Sequence, residues 1–550
     1  MLDRRQLLTT LASAGIGTTV FQRALAAQVV THGNVTVEMI QNAEWIAGLE
    51  LTEEEREQTA HGVRRSLAKT AVLQAVEIDY FTPPAFIFRP EMGAHPAESA
   101  DRGEVQMIES ASLEKPNTPE DLAFLPVTKL ATLIRERKVS STELTTLYLD
   151  RLHQHQPKLN CVISFLDDLA LKQAANADRE ISAGRYRGPL HGIPWGAKDL
   201  IAYPGYNTTW GAPQFKDQKL DMKATVAQRL DDAGAVLIAK LSLGAVAMGD
   251  DWFGGKTRNP WNTEEGSSGS SAGSASATAA GCVGFSIGSE TTGSITSPCR
   301  RCGVTGLRPT FGRVSRFGCM PLAWSLDKLG PIARSVEDCA LILDFIRGRD
   351  GLDPTVVDRP FSWPFEENLQ TLRVGYVETG LPTEERTEIR TLRELGVQLI
   401  PIELPTKNLP VSALTLILDV ESADIFEPLI KSGDTEGLNA WPATWHQAYF
   451  ISATQYVRAN RVRTLVMQTM EKAMQDVDAY VGGDDIVLAN YTGHPTISIP
   501  GSFIERNGAN VPTAVTFTGQ LFGETTLLAL AHAFQQTTDH HLQRPPLSNS

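Results

Sequence analysis

The chain has 550 residues, with 50 Lys and Arg against 64 Asp and Glu, a formal net charge of −14 and 42% hydrophobic residues. That apolar share supports a large buried core and excludes a disordered or fibrous protein, while the length sets a prior of two to four domains. The negative balance repels phosphate and argues against general nucleic-acid binding.

At the N-terminus, Arg4-Arg5 precede a mildly apolar stretch from Leu7 to Phe21, and Ala24-Leu25-Ala26 follows. Charge, apolar core and a small-x-small site in that order predict a secretory signal over residues 1–26. The paired arginines and weak hydrophobicity point to the twin-arginine route, with a mature chain starting near Ala27 in the periplasm or otherwise exported. An ordinary amphipathic first helix is the alternative. No other stretch reaches the ~18 apolar residues of a membrane span.

Residues 27–118 read as a mainly helical extension, with a charged run from Glu53 to Glu57 and a Pro-rich stretch from Phe81 to Pro96. A polar segment around Glu114–Glu120, with Pro116 and Pro119, marks a boundary. Two helices are predicted next. One carries Leu130, Leu133 and Ile134; the other opens on a Ser140/Glu143 capping box and continues through Leu144, Leu147 and Tyr148. Strands are predicted at Ala235–Ala239, Leu372–Val377, Val397–Leu404, Thr496–Ile499 and Ala514–Thr518. Strands between helical segments argue for an α/β architecture around one sheet.

Six cysteines, at 161, 282, 299, 302, 319 and 339, are too few for a disulfide scaffold. Cys299 and Cys302 form a lone CxxC without the second pair or nearby histidines that zinc requires, so thiols or one disulfide are expected.

Residues 266–281, GSSGSSAGSASATAAG, are all Gly, Ala, Ser or Thr. They fit a loop leading into a close-packed helix, with Ala275–Ala280 as helix material. A strand-like GFSIGSE follows, and then the turn Gly288 to Ile295. Gly293 before Ser294 lets backbone N–H groups converge, and a serine beside converging donors is the layout acyl transfer needs. By itself this is a weak signal. A third segment, HGIPWGAKDL at 191–200, sets Lys198 among Ile193, Pro194, Trp195 and Ala197. Loss of hydration favours its neutral amine, which can serve as a base. Moving a lysine pKa from ~10.4 to near 7 costs roughly 4–5 kcal/mol, so the fold must impose it. The local alternative is a surface lysine paired with Asp199.

Together these three segments resemble the amidase signature family, the Ser-cisSer-Lys amidases. The likeness runs over most of residues 120–540. It includes TRNPW at 257–261, CGVTGLRPTFGRVSR at 302–316, DKLGPIARSVED at 327–338, NYTGHPTISIPGSF at 490–503 and PTAVTFTGQLFGETTLLALAHAF at 512–534. The resemblance implies a mixed central β-sheet flanked by helices, with a catalytic domain over 119–545. It also implies roles. Ser294 is the nucleophile, Ser270 the bridging serine in a cis peptide after Gly269, and Lys198 the terminal base. The amides of Thr291, Thr292, Gly293 and Ser294 form the oxyanion hole. No histidine, metal or cofactor is required. Ala272 and Thr292 stand where the family often has Gly, Glu290 where it often has Asp, and Thr296 where it often has Arg. These departures bear on substrate and rate more than on reaction type.

Other candidates have blander readings. His191 and His494 sit in Gly/Pro turns and read as structural, not as members of a triad. His153, His155, His540 and His541 lack acidic or Cys partners at metal spacing and read as solvated. Asp250-Asp251 could shape the cleft or be loop solvation, and Asp484-Asp485 could mimic paired carboxylates. Trp252, Phe253 and Trp324 could line an acyl pocket, but core packing is expected.

The expected function is hydrolysis of a linear carboxamide C–N bond through a Ser294 acyl-enzyme, acting on a small-molecule amide. Two alternatives stand beside it. One is the glutamine-hydrolysing subunit of a tRNA-dependent amidotransferase, which works in the cytoplasm and so conflicts with an export signal. The other is a non-catalytic periplasmic binding protein retaining the fold. The extension at 27–118 has three open roles: covering the cleft, forming a homodimer, or thickening the fold.

Overall fold

The computed structural model describes residues 35–78, 102–108, 113–365, 367–378, 382–383, 385–482 and 486–547. The expected signal at 1–26, the Pro-rich stretch Phe81–Pro96 and the pair Asp484-Asp485 lie outside them. No described helix is long and apolar enough to cross a membrane.

The chain divides into two units, one of Met1–Ile87 with Asn408–Gln468, the other of Phe88–Lys407 with Thr469–Ser550. In the first, Thr52 caps the helix Glu53–Ala75 in a full capping box with Glu55. The charged run is explained by this: Glu53, Glu54 and Glu55 lie in the first turn, where unpaired amides favour negative charge. The helix Trp441–Ala448 packs on it. Arg458 closes its other end, donating to the carbonyls of Leu73 at 3.0 Å and of Gln74 and Val76 at 2.8 Å.

The second unit holds the strands. In chain order these are β1 (Val162–Phe165), β2 (Pro194–Lys198), β3 (Val236–Leu241), β4 (Asp251–Trp252), β5 (Gly255–Lys256), β6 (Arg258–Asn259), β7 (Asn262–Gly266), β8 (Phe285–Glu290), β9 (Thr305–Arg308), β10 (Lys328–Ala333), β11 (Arg373–Val377), β12 (Gln398–Ile402), β13 (Ala479–Val481), β14 (Thr496–Arg506) and β15 (Ala509–Gly519). Eleven of them make one sheet in the order β1-β3-β2-β8-β10-β9-β14-β15-β13-β11-β12. β2 runs parallel to both β3 and β8, whereas β8, β10, β9, β14 and β15 pair antiparallel in succession, so the sheet is mixed. Helices flank it: Asp167–Ser182 on β3, Ala272–Ala279 on β2, β3 and β8, Val336–Ile346 on β9 and β10, and Glu524–Gln536 on β14 and β15. This is the α/β architecture expected from the sequence.

Two local expectations need correction. The late strands extend well past the apolar cores at Thr496–Ile499 and Ala514–Thr518, because Asn507-Gly508 turns the chain between them with φ of 51° and 74°. Asn-Gly with both residues left-handed suits the tight hairpin turn. The Ser140/Glu143 box is half formed. Ser140 accepts from the Glu143 amide at 3.0 Å, but the Glu143 carboxylate takes Lys115 instead.

Candidate active site

β2 lies between β3 and β8, and all five of its residues are buried. Lys198 ends this strand at 0% exposure. Its Nζ is 2.8 Å from Ser270 Oγ, 3.1 Å from Ser271 Oγ, 2.9 Å from Ser289 Oγ and 3.3 Å from the Ser289 carbonyl. Burial pulls its pKa down to about 7, against the opposing pull of the Asp327 and Glu290 charges. The local pairing of Lys198 with Asp199 does not form. Asp199 instead meets Lys240 of β3 at 2.6 Å, both fully buried, and accepts from the amide and hydroxyl of Thr209.

The loop ahead of the helix Ala272–Ala279 carries Ser270 across a cis Gly269–Ser270 bond. A Cβ on Gly269 would lie 1.9 Å from the Gly249 carbonyl oxygen, so only glycine fits. Asp250 accepts from the Ser268 amide at 2.8 Å and braces this loop. Asp251 is exposed and pairs with Lys256 at 3.1 Å.

β8 ends at Glu290, and the chain turns through Thr291–Ile295 into the helix Thr296–Cys302. Gly293 has φ of +96°, and a Cβ there would meet Ile486 Cδ1 at 2.5 Å. The amides of Thr291, Thr292, Gly293 and Ser294 donate to no acceptor among the described residues. Ser294 is partly exposed. Its carbonyl accepts from the Ser271 amide at 3.0 Å, which ties the Ser294 turn to the residue after Ser270. A hydroxyl-to-hydroxyl bond between Ser294 and Ser270 is not among the hydrogen bonds of the described residues.

Glu290 anchors the turn from below. Its Oε2 accepts from the amides of Ile295 and Thr296, both at 2.8 Å, and from Thr296 Oγ1 at 3.0 Å. Its Oε1 accepts from Asn490 at 2.8 Å and from Arg308 Nη1 at 3.0 Å. Burial alone would raise its pKa, but Arg308, the Thr296 amide, Lys328 and Asn490 outweigh that and hold it at about 2. Arg308, reaching in from β9, is thus the buried cation paired with this carboxylate.

Several weighed residues lie apart from this chemistry. His191 is buried, accepts from the Arg187 amide at 3.1 Å and faces Glu180 at 3.4 Å. His494 is buried against Thr492, and burial lowers it to about 4. One solvated reading is overturned, since His155 is 3% exposed, whereas His153 is exposed and pairs with Asp167 at 2.8 Å. No group of three metal-ligating side chains gathers among the described residues. All six cysteines are free, and Cys299 and Cys302 pack with Ala275, Ala279, Ile295, Val304 and Ile332 beneath the turn. Core packing is wrong for two aromatics. Phe253 is 41% and Trp324 56% exposed, and Trp324 borders a small cavity that Ser289 and Thr291 also line. Sequence reasoning missed Ser271, Ser289, Arg308 and Asp327. The two serines were visible in the serine-rich runs, but nothing there distinguished them from their neighbours.

Comparisons with known proteins show what the chain is similar to. The family model described as Amidase matches residues 143–483. The glutamyl-tRNA(Gln) amidotransferase A subunit from Moorella thermoacetica is 31% identical over 493 residues, spanning 78% of this chain and 99% of the relative. Its counterpart from Geobacter metallireducens is 32% identical, spanning 77% and 99%. The native peptide amidase from Stenotrophomonas maltophilia superposes with a TM-score of 0.67 at 31% identity, over 77% of this chain and 98% of that one.

Proposed function

The chain belongs to the amidase family, and from that premise we propose that it hydrolyses a linear carboxamide through an acyl-enzyme on Ser294. One observation carries the reading. A fully buried Lys198 amine, with a pKa lowered to about 7, lies 2.8 Å from the Ser270 hydroxyl, in a loop bonded to the turn of four unpartnered amides.

The steps follow from the donors and acceptors. Ser294 Oγ attacks the carbonyl carbon while its proton passes to Ser270, whose own proton goes to Lys198 Nζ. The amides of Thr291, Thr292, Gly293 and Ser294 face the developing oxyanion. The C–N bond breaks as the relay returns the proton to the leaving nitrogen, and water then hydrolyses the Ser294 ester. Labelling with a fluorophosphonate tests the reading: the wild type labels and Ser294→Ala does not. No labelling under any condition favours a binding protein that retained the fold.

The substrate decides between two activities. Similarity to the glutamyl-tRNA(Gln) amidotransferase relatives supports a second reading as a glutamine-hydrolysing subunit, whereas similarity to a peptide amidase supports a free-standing amidase. A panel of amides varying in acyl length and leaving group, with L-glutamine among them, separates the two. Export is part of the proposal, supported by the order of Arg4-Arg5, the apolar stretch and Ala24-Leu25-Ala26. Recovery of activity in the cytoplasmic fraction alone would count against it. The dimer considered for the N-terminal extension is decided by the mass of the mature protein in solution.

A further inference from the structure

The row of free amides is held from outside by a group that none of the three motifs contains. Asp327 immediately precedes β10. Its Oδ1 accepts from Thr291 Oγ1 at 2.7 Å, and its Oδ2 accepts from the amides of Leu322 at 2.7 Å and Ala323 at 2.9 Å. The next residue, Lys328, donates to the Thr291 carbonyl at 3.4 Å. The hydroxyl and the carbonyl of Thr291 are therefore both fixed while its N–H is left free. The turn that Asp327 holds at 322–323 also carries Met320, Leu322 and Trp324 onto the cavity lined by Ser289 and Thr291.

We infer that Asp327 is a positioning residue for acyl transfer, aiming the oxyanion-facing amides through the Thr291 hydroxyl and fixing the adjoining cavity wall through the Leu322 and Ala323 amides. The inference rests on Ser294 being the nucleophile. Donors stabilise a developing oxyanion only if they are oriented before the charge forms, and a hydroxyl bonded to a carboxylate is held more firmly than one bonded to a neutral acceptor. Asp327 also acts on the base. It and Glu290 are the negative groups that favour the charged form of Lys198. Of the other charged groups nearby, Arg308 of β9 and Lys328 of β10 offset Glu290, and Asp199 on β2 is engaged by Lys240 of β3.

The experiment is the rate of fluorophosphonate labelling of the full chain between pH 5 and 9, with melting temperature measured alongside. Asp327→Asn is expected to slow labelling by about 10- to 100-fold at its plateau. Its acid limb should move to lower pH, because removing a negative neighbour makes Lys198 harder to protonate. Thr291→Val, which keeps shape but loses the donor, should slow labelling by about tenfold with the acid limb unmoved. Thr291→Ser, which keeps the hydroxyl, should stay within about twofold of wild type. The inference is overturned if Asp327→Asn labels at the wild-type rate with the wild-type limb. It is equally overturned if Thr291→Ser is as slow as Thr291→Val, or if the losses merely follow melting temperature. A wild type that never labels removes the nucleophile itself, and with it this inference; the wild-type arm tells the two failures apart.

Discussion

Two lysines lie fully buried on adjacent strands, and their surroundings differ in one respect. Lys240 of β3 faces the Asp199 carboxylate at 2.6 Å. Lys198 of β2 faces three hydroxyls and a carbonyl. An amine among hydroxyls has no countercharge in contact, and burial outweighs the pull of Asp327 and Glu290, so its pKa falls to about 7. From an unfolded value of 10.5 this opposes folding by roughly 5 kcal/mol at and below neutral pH, a penalty that shrinks as pH rises from about 7 to 10.5. The sign follows because the unfolded chain binds the extra proton in that window. The same sheet therefore buries one lysine with its countercharge and another ready to accept a proton. Only the partner differs.

The contrast can be broken at either lysine. Lys240→Met leaves Asp199 as a lone buried carboxylate and should cost about 3–5 kcal/mol by denaturant melt, with turnover of the folded fraction little changed. Lys198→Met should lower turnover by at least ~10²-fold while the protein still folds. If Lys198→Met keeps its activity and Lys240→Met loses it without unfolding, the assignment of the two is inverted. A pH–rate profile sharpens the point. Protonation of Lys198 removes the base, so activity should fall about tenfold per unit below pH 7, and a flat rate down to about pH 5 contradicts a neutral amine. Arg458 gives the low end of the scale. It caps helix carbonyls from a partly exposed position, so Arg458→Ala should cost about 1 kcal/mol and leave the pH profile untouched.

How much of this was legible in the sequence depends on whether a contact is local. Lys198 stood out because an apolar strand surrounds it, and the helix Ala272–Ala279 because no residue there is large enough to form an ordinary core face. Serines 271 and 289 could not be told from the other serines around them; only folding brings them to Nζ. The Glu290–Arg308 pair was invisible because its partners sit on β8 and β9, strands that are not neighbours in the sheet. Packing of Trp441–Ala448 on Glu53–Ala75 joins segments more than 360 positions apart, and no periodicity announces such a partner. Trp324 misled for a different reason. Aromatic residues are core by default, but this one caps a turn whose amides are taken by Asp327.

The helix behind Ser270 has a consequence for how this protein could change over time. All eight of its residues are enclosed and none is bulkier than threonine. An added methylene there has nowhere to go, and interiors packed this tightly answer overfilling with displaced backbone. Divergence toward new amides is therefore shut out of the interior and channelled to the rim, where an exposed indole at 324 can be exchanged without disturbing the machinery beneath. Directed evolution of selectivity should find its productive mutations on that rim, and should find the small-residue helix nearly silent.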